Sequence, residues 1–426
     1  MLYYIDPGTG SMLFTILLGT ITAGTYALRN QMVKLRFYLS GGRTEKTVGD
    51  NPDYVIFTDS KRYWNVFEPI CDEFEKRETE LTYMTASPDD PALDKEYKYV
   101  KCEFIGEGNK AFAMLNNLRA DIVLSTTPSL DVFYWKRSKG VKWYVHYPHA
   151  ADDLTKYRMF GIDHYDAVLT SGDYQIEEIR KLEDIRNQPH KEMVNAGLTF
   201  LDTMKERLDK AGRHKTGDGN INVLLAPSWG PSSIFNRYGG AMIDSLLKTG
   251  YHIIVRPHPQ SFTSEKEMIE KLMAQYPDSD QLEWNRDNDN FDVLNRSDIL
   301  ISDFSGVVYD FSLVFDKPVI YADVDFDDSP YDACWLEERP WSLQTLEKIG
   351  VQLTKDNIDN IKEVIDSCIN DERFQQSRDQ ARKEAWLYIG ESAGRVTDYL
   401  IDKHAKLEEA GATAGSDDSE KTRETA

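Results

Sequence analysis

Two short segments carry the residues best suited to phosphate chemistry. In the first, the apolar run 251–255 is followed at once by Arg256, Pro257, His258 and Pro259. In the second, residues 299–301 lead into Ser302, Asp303, Phe304, Ser305 and Gly306, and then into a helix-like run over 307–315. Ligands of open α/β sheets collect beyond the carboxyl ends of strands. A helix start adds free backbone N–H groups and a positive dipole end for an anion. An arginine and an imidazole at one strand end, with serines and a glycine at another, therefore read as a pyrophosphate site. Each motif alone has a blander reading: a strand-end histidine is commonly a satisfied polar group, and Ser302-Asp303 can be a plain helix cap. The prolines that fix the backbone around His258, and the two motifs falling on consecutive expected strands, favour the functional reading.

A third cluster is HYPHAADD, residues 146–153, which puts two imidazoles and two carboxylates at an expected strand end. As a metal site its spacing is poor, because His-x-x-His without further organised ligands rarely suffices. An imidazole with an ordinary pKa near ~6.5 is well suited to deprotonating a hydroxyl. His149 and His146 are both candidates. Ser228, Trp229, Ser232 and Ser233 follow another expected strand and read either as cleft residues or as turn and capping residues. No GK[ST] occurs, which argues against a P-loop NTPase, and Gly106-Glu-Gly108 lacks the third glycine of a dinucleotide fingerprint and reads as a turn.

These residues need a scaffold that aligns strand ends. Strand-like runs at 54–60, 81–86, 99–106, 121–128, 143–149 and 166–172 alternate with helical spacing over 63–76, 109–118 and 174–182, as in a parallel, doubly wound sheet. Residues 211–220 are polar, with three glycines in KAGRHKTGDGN, and read as an interdomain boundary. The pattern then restarts at 221–226, so the expected body is a domain over 53–210 and a second over 221–406. Residues 407–426, rich in Ala, Gly, Ser, Asp and Glu, are expected to be disordered. Five aspartates within 323–332 suggest a solvated loop rather than a cation site.

RPHP followed by SDFSGVVYDFSLVFDKPVIYAD resembles the carboxyl-terminal half of the CDP-glycerol glycerophosphotransferase family, which makes teichoic-acid-type polymers. That family reads R-P-H-P, then S-D-x-S-S with an aromatic-rich helix, then K-P-[IV]-I-x-Y. Here Gly306 replaces the second serine of the closing pair. The resemblance implies a GT-B fold, two doubly wound parallel-sheet domains facing a cleft, and holding the phosphates at a helix start needs no cofactor and no metal. It also implies a CDP-glycerol or related CDP-polyol donor and release of CMP. His149 matches best the histidine that faces the acceptor in the family, with His146 the alternative. Arg256 and His258 would neutralise the phosphoryl group, Ser302, Ser305 and Gly306 would hold the other phosphate, and Asp303 would bind a donor hydroxyl or orient His258. A nucleotide-sugar glycosyltransferase on the same fold is the first alternative. A non-catalytic polymer-binding membrane protein is the second, and it predicts that His258→Ala leaves function intact.

The chain has 426 residues with 72 acidic against 50 basic side chains, a net charge of −22, which argues against a nucleic-acid partner. Four scattered cysteines suit a reducing compartment and no zinc site. Residues 7–28 are uncharged and mostly apolar, long enough to cross a bilayer once, with Arg29, Lys34 and Arg36 following. The positive-inside rule then puts the body in the cytoplasm, behind an anchor over 1–39 and a linker over 40–52. A membrane-linked glycan or polymer acceptor would suit that anchor.

Overall fold

The computed structural model describes residues 51–214, 221–287, 289–322, 326–369 and 371–423, with side chains as far as Gly411. The expected spanning segment, 7–28, lies outside the described residues, and no described helix is long and apolar enough to cross a membrane.

The first sheet has seven strands: β1 (Tyr54–Thr58), β2 (Leu81–Thr85), β3 (Val100–Phe104), β4 (Arg119–Ser125), β5 (Gly140–His146), β6 (Ala167–Thr170) and β7 (Glu192–Asn195). Their order is β3-β2-β1-β4-β5-β6-β7, and every pairing is parallel. The crossovers include α1 (Trp64–Lys76), α2 (Asn109–Leu115), α3 (Asp173–Ile185) and α4 (Thr199–Ala211). The second sheet is β8 (Asn222–Leu225), β9 (His252–Val255), β10 (Leu282–Trp284), β11 (Ile299–Ser302), β12 (Val319–Ala322) and β13 (Gly350–Leu353). It is also wholly parallel, in order β10-β9-β8-β11-β12-β13. Its helices are α5 (Ile234–Tyr238), α6 (Gly240–Leu247), α7 (Lys266–Gln275), α8 (Phe291–Arg296), α9 (Val307–Tyr309, continued by a π turn over Asp310–Val314), α10 (Trp341–Ile349) and α11 (Ile361–Ile369).

Central strands such as β1, β8 and β11 read as unbroken apolar runs because helices cover both faces of a parallel sheet. Two edge strands, β10 and β13, carry no such signal: one is three residues long and the other begins with Gly350. Register aligns the chemistry. Leu225 pairs with both Val255 and Ile301, so Ala226, Arg256 and Ser302 follow at one level beyond β8, β9 and β11.

The two domains share an apolar core. Leu201, Met204 and Leu208 of α4 cluster with Leu224, Phe311 and Val314 of the second domain. After α12 (Arg373–Ala385) the chain crosses back: Trp386 Nε1 donates to Asp202 Oδ1 at 2.8 Å, and Leu387 N to Ser171 O at 3.0 Å. Gly172 and Gly197 permit this crossing, for a Cβ at Gly172 would lie 1.9 Å from Glu384 O, and one at Gly197 2.4 Å from Ser392 Oγ. The last helix, α13 (Ser392–Arg423), lays Val396 and Leu400 into the first domain's core beside Tyr54 and Phe67. The carboxyl-terminal helix packs on the first domain, and it runs on to Arg423 through residues expected to be disordered.

Candidate active site

A cavity of about 470 Å³ lies between the carboxyl ends of the two sheets. Arg62 and Tyr63 after β1, and the loop around His149 after β5, line it from the first domain. Ser228 and Trp229 after β8, Arg256 and His258 after β9, and Ser305 and Gly306 after β11 line it from the second. This is the crevice at which doubly wound sheets bind ligands.

His258 is half-buried, and its Nδ1 accepts the Gln260 N–H at 3.1 Å. An accepting Nδ1 leaves the neutral ring's proton on Nε2, so His258 offers a donor. Burial, with the Arg62 charge across the cleft, brings its pKa down to about 4. Arg256 donates to Asn285 Oδ1, and to Asp287 O at 2.8 Å, which holds the guanidinium in place.

His149 stands on the opposite wall with Thr126 Oγ1 3.1 Å from its Nδ1 and the Tyr63 ring 4.9 Å away. Burial brings its pKa down to about 4, partly offset by Asp152 and reinforced by Arg62, so the ring is neutral at pH 7 and free to accept a proton. His146 is different. It is enclosed by the Tyr157 and Tyr165 rings, neither ring nitrogen has a hydrogen-bond partner among the described residues, and it does not line the cavity. Burial brings its pKa down to about 3. Of the two candidates, His149 is the one the fold brings to the cleft.

Two residues expected to meet phosphate or donor do not line the cavity. The Ser302 hydroxyl is buried and donates to Ala226 O at 2.6 Å, tying β11 to the end of β8. Asp303 is fully buried, and its carboxylate accepts the backbone N–H groups of Ser228 at 2.9 Å and of Ile234 at 3.1 Å. It therefore shapes the loop between β8 and α5. Neither residue caps the helix that follows, whose N-cap is Gly306 without a side-chain cap bond; both tie the end of β11 to the segment after β8. Ser305 and Gly306 do line the cavity, at the start of α9. Gly106 and Gly108 stay a turn before α2, and Asp332, expected in a solvated loop, is buried on Arg186 and the Phe160 and Gly161 N–H groups.

Three cavity residues were not singled out from the sequence. Lys156 donates to both Asp152 carboxylate oxygens at 2.9 Å and to Phe304 O at 3.2 Å, bridging the domains. Arg62 is exposed on the short helix before α1. Asp310 is buried one turn after Gly306, with no hydrogen-bond partner for Oδ1 among the described residues. Burial and the nearby Asp152 push its pKa up to about 7, although Asn290 opposes this. The motif offers a signal for Asp310 alone, as an acidic residue among the apolar positions of its helix.

The His149 loop is held against the second domain by carboxylates at the start of α10. Asp153 Oδ2 accepts the Ser342 N–H at 2.9 Å, and Glu178 Oε1 accepts that of Trp341 at 3.0 Å. Burial and Asp153 push Glu178 up to about 9, so one of the two carries a proton at neutral pH. Among the described residues, the group of acidic and imidazole side chains close enough for a cation is Asp53, Asp121 and His404, at the opposite ends of β1 and β4 from the cavity. There Lys142 also pairs with Asp121, at 2.8 Å.

Two parallel-sheet domains facing one cleft give the chain a GT-B-like architecture. The family model for CDP-Glycerol:Poly(glycerophosphate) glycerophosphotransferase matches residues 159–402, more than half of the chain, and the chain belongs to that family. It is thus an enzyme, a phosphotransferase of the CDP-glycerol glycerophosphotransferase type. Arg62 and His149 precede the matched stretch, so their assignment rests on the geometry. No curated protein matches the chain. Among solved structures, UDP-GlcNAc 2-epimerase of Methanocaldococcus jannaschii, in complex with UDP-GlcNAc and UDP, is similar with a TM-score of 0.53 and 13% identity, over 82% of this chain and 99% of that one. MnaA of S. aureus, in a co-structure with UDP, has a TM-score of 0.51 and 15% identity, over 83% of this chain and 98% of that one. At such identities the likeness is one of fold.

Proposed function

We propose that the enzyme transfers glycerol phosphate, or a related polyol phosphate, from a CDP-linked donor to a hydroxyl of a membrane-linked saccharide or polymer, releasing CMP. The observation that carries this reading is the opposition of His149 on one wall to Arg256, His258 and Ser305 on the other. The donor's pyrophosphate lies against the second domain, with Arg256, the Nε2–H of His258, and the N–H groups and hydroxyl at Ser305–Gly306 as its donors. In the tautomer that donates from Nδ1 to Thr126 Oγ1, 3.1 Å away, the Nε2 of His149 takes the proton of the acceptor hydroxyl. The new bond joins the acceptor oxygen to the polyol-bearing phosphorus. The P–O bond to CMP breaks, and its electron pair leaves on the CMP phosphate. Asp310, ionised, accepts a hydrogen bond from a donor hydroxyl at the edge of the same site. Trp229, 42% exposed, offers an aromatic face 6.4 Å from the His258 ring.

We also read the chain as membrane-bound through residues 7–28, with its catalytic body cytoplasmic, on the strength of the sequence. Membrane fractionation with and without residues 1–39 tests this, and equal solubility of the two forms would refute it. The donor screen tests the chemistry: thermal shift and CMP or UMP release with CDP-glycerol, CDP-ribitol and UDP-sugars. CMP release from a CDP-polyol, lost in His258→Ala, is the expected result. A response to UDP-sugars alone would make the enzyme a glycosyltransferase. Silence with every donor would leave a binding protein.

A further inference from the structure

The cavity carries three permanent cations, and two are already committed. Lys156 is spent on Asp152 and Phe304 O, and Arg256 on Asn285 and Asp287. Arg62 is the third. Its Nε donates to Ser60 Oγ at 3.2 Å, and among the described residues its terminal nitrogens make no hydrogen bond or ion pair, although its charge favours the ionised form of the nearby Asp59. This is notable in a chain with 72 acidic residues, many of whose basic side chains lie within salt-bridge distance of one. Position adds to it. Arg62 belongs to the first domain, yet its charge lowers the pKa of His258 on the second as well as that of His149 on its own. Arg62 lines the same cavity as both imidazoles.

Resting on the phosphotransferase reading above, we propose that Arg62 is a catalytic residue for the transferred phosphoryl group, supplied by the acceptor-side domain. Both phosphates of a CDP-polyol are anionic, and an incoming hydroxyl oxygen gains negative charge as His149 takes its proton. A cation on the acceptor side screens that repulsion where the new O–P bond forms. The donor-side groups meanwhile hold the phosphate that leaves as CMP. A planar guanidinium with four uncommitted N–H donors can span two non-bridging oxygens, which an ammonium cannot. The position also links chemistry to domain closure, because the cation completes the site from the opposite wall.

The test is steady-state turnover of CDP-glycerol by the full chain and its Arg62→Gln, Arg62→Lys and Arg62→Ala variants, with CMP-induced thermal shift measured in parallel. Arg62→Gln is expected to lose roughly 10²–10³-fold in kcat, the usual effect of removing one transition-state charge donor. Its CMP shift should be unchanged, Arg62→Lys should retain part of the rate, and added guanidinium should restore Arg62→Ala several-fold. Wild-type kcat in Arg62→Gln would overturn the assignment. So would a lost CMP shift, which would make Arg62 a nucleotide contact, or a rise confined to the acceptor KM, which would make it an acceptor anchor. Wild-type enzyme silent with every CDP-polyol would instead remove the donor reading, and this assignment with it.

Discussion

Asp303 separates an anchor from a catalyst. Its carboxylate is fully buried and accepts two backbone N–H groups, Ser228 at 2.9 and 3.2 Å and Ile234 at 3.1 Å, so Asp303→Ala strips both of their acceptor. A buried N–H left unpaired costs about 1–3 kcal/mol, giving roughly 2–6 kcal/mol for the pair. Burial raises the Asp303 pKa, so keeping it ionised has its own cost, and removing it recovers part of the loss. The net expectation is ~2–4 kcal/mol, or roughly 5–15 °C in melting temperature for a domain of this size. Urea unfolding and thermal melts measure this, alongside KM for the donor. Asp303→Asn keeps one oxygen acceptor but turns an amide donor towards one N–H, so it should fall between wild type and Asp303→Ala. Because the anchored loop carries Ser228 and Trp229, donor KM should worsen in step with stability across the two variants. An Asp303→Ala protein as stable as wild type but without turnover would refute the anchor, and would put the carboxylate on the substrate after all.

Gly306 has φ −57°, and a Cβ there would meet Ala150 Cβ at 3.8 Å and Asp152 Oδ2 at 4.0 Å, so Gly306→Ser fits without strain. It should add a phosphate hydroxyl and lower the donor KM, whereas an unchanged KM would show that the backbone N–H groups suffice. The Asp310 pKa is raised to about 7 from an ordinary 3.8, so the folded state holds a proton that the unfolded chain has lost between those values, and stability falls as pH rises through that window. Asp310→Asn should therefore stabilise the protein at pH 8 by up to ~4 kcal/mol, with little effect near pH 4, as compared by urea unfolding. Equal effects at both pH values would refute a buried, unpaired carboxyl. For His149 the sign is opposite: a pKa near 4 keeps the base neutral down to that pH, so the acid limb of kcat/KM should lie near 4 and be absent in His149→Ala. A limb at the ordinary imidazole value would place the base in an open, solvated setting.

Sequence patterning revealed what depends on local rules. Alternating buried runs gave both sheets, because a parallel strand covered on each face has to be apolar along its length, as at Val223–Leu225 and Ile299–Ile301. The same logic missed β10 and β13, which hold their places as edges by pairing with β9 and β12. The small and acidic residues at the end of the carboxyl-terminal helix carry no core pattern of their own, while Val396 and Leu400, earlier in the helix, are docked on the first domain.

The site divided along a different line. Arg256, His258, Ser305 and Gly306 were legible because they follow their own strands directly, and strand ends in this fold open onto the cleft. Ser302 and Asp303 follow β11 just as directly, yet point back into the sheet ends, where Ala226 O, Ser228 N and Ile234 N take up their polar atoms. The alternation along an extended segment decides which of Ser302, Asp303 and Ser305 faces ligand, and a loop of that length does not declare its phase. Arg62 and Lys156 reach the other domain through residues more than a hundred positions away in sequence, His258 for one and Phe304 for the other. Gly306 shows the same dependence from the opposite side. As a motif it is a serine lost, but in space it faces Ala150 and Asp152 on the His149 loop, so the side chain it lacks leaves room on the acceptor side of the cleft. What that substitution does to specificity is therefore a question about the gap between two domains, which no single stretch of the chain encodes.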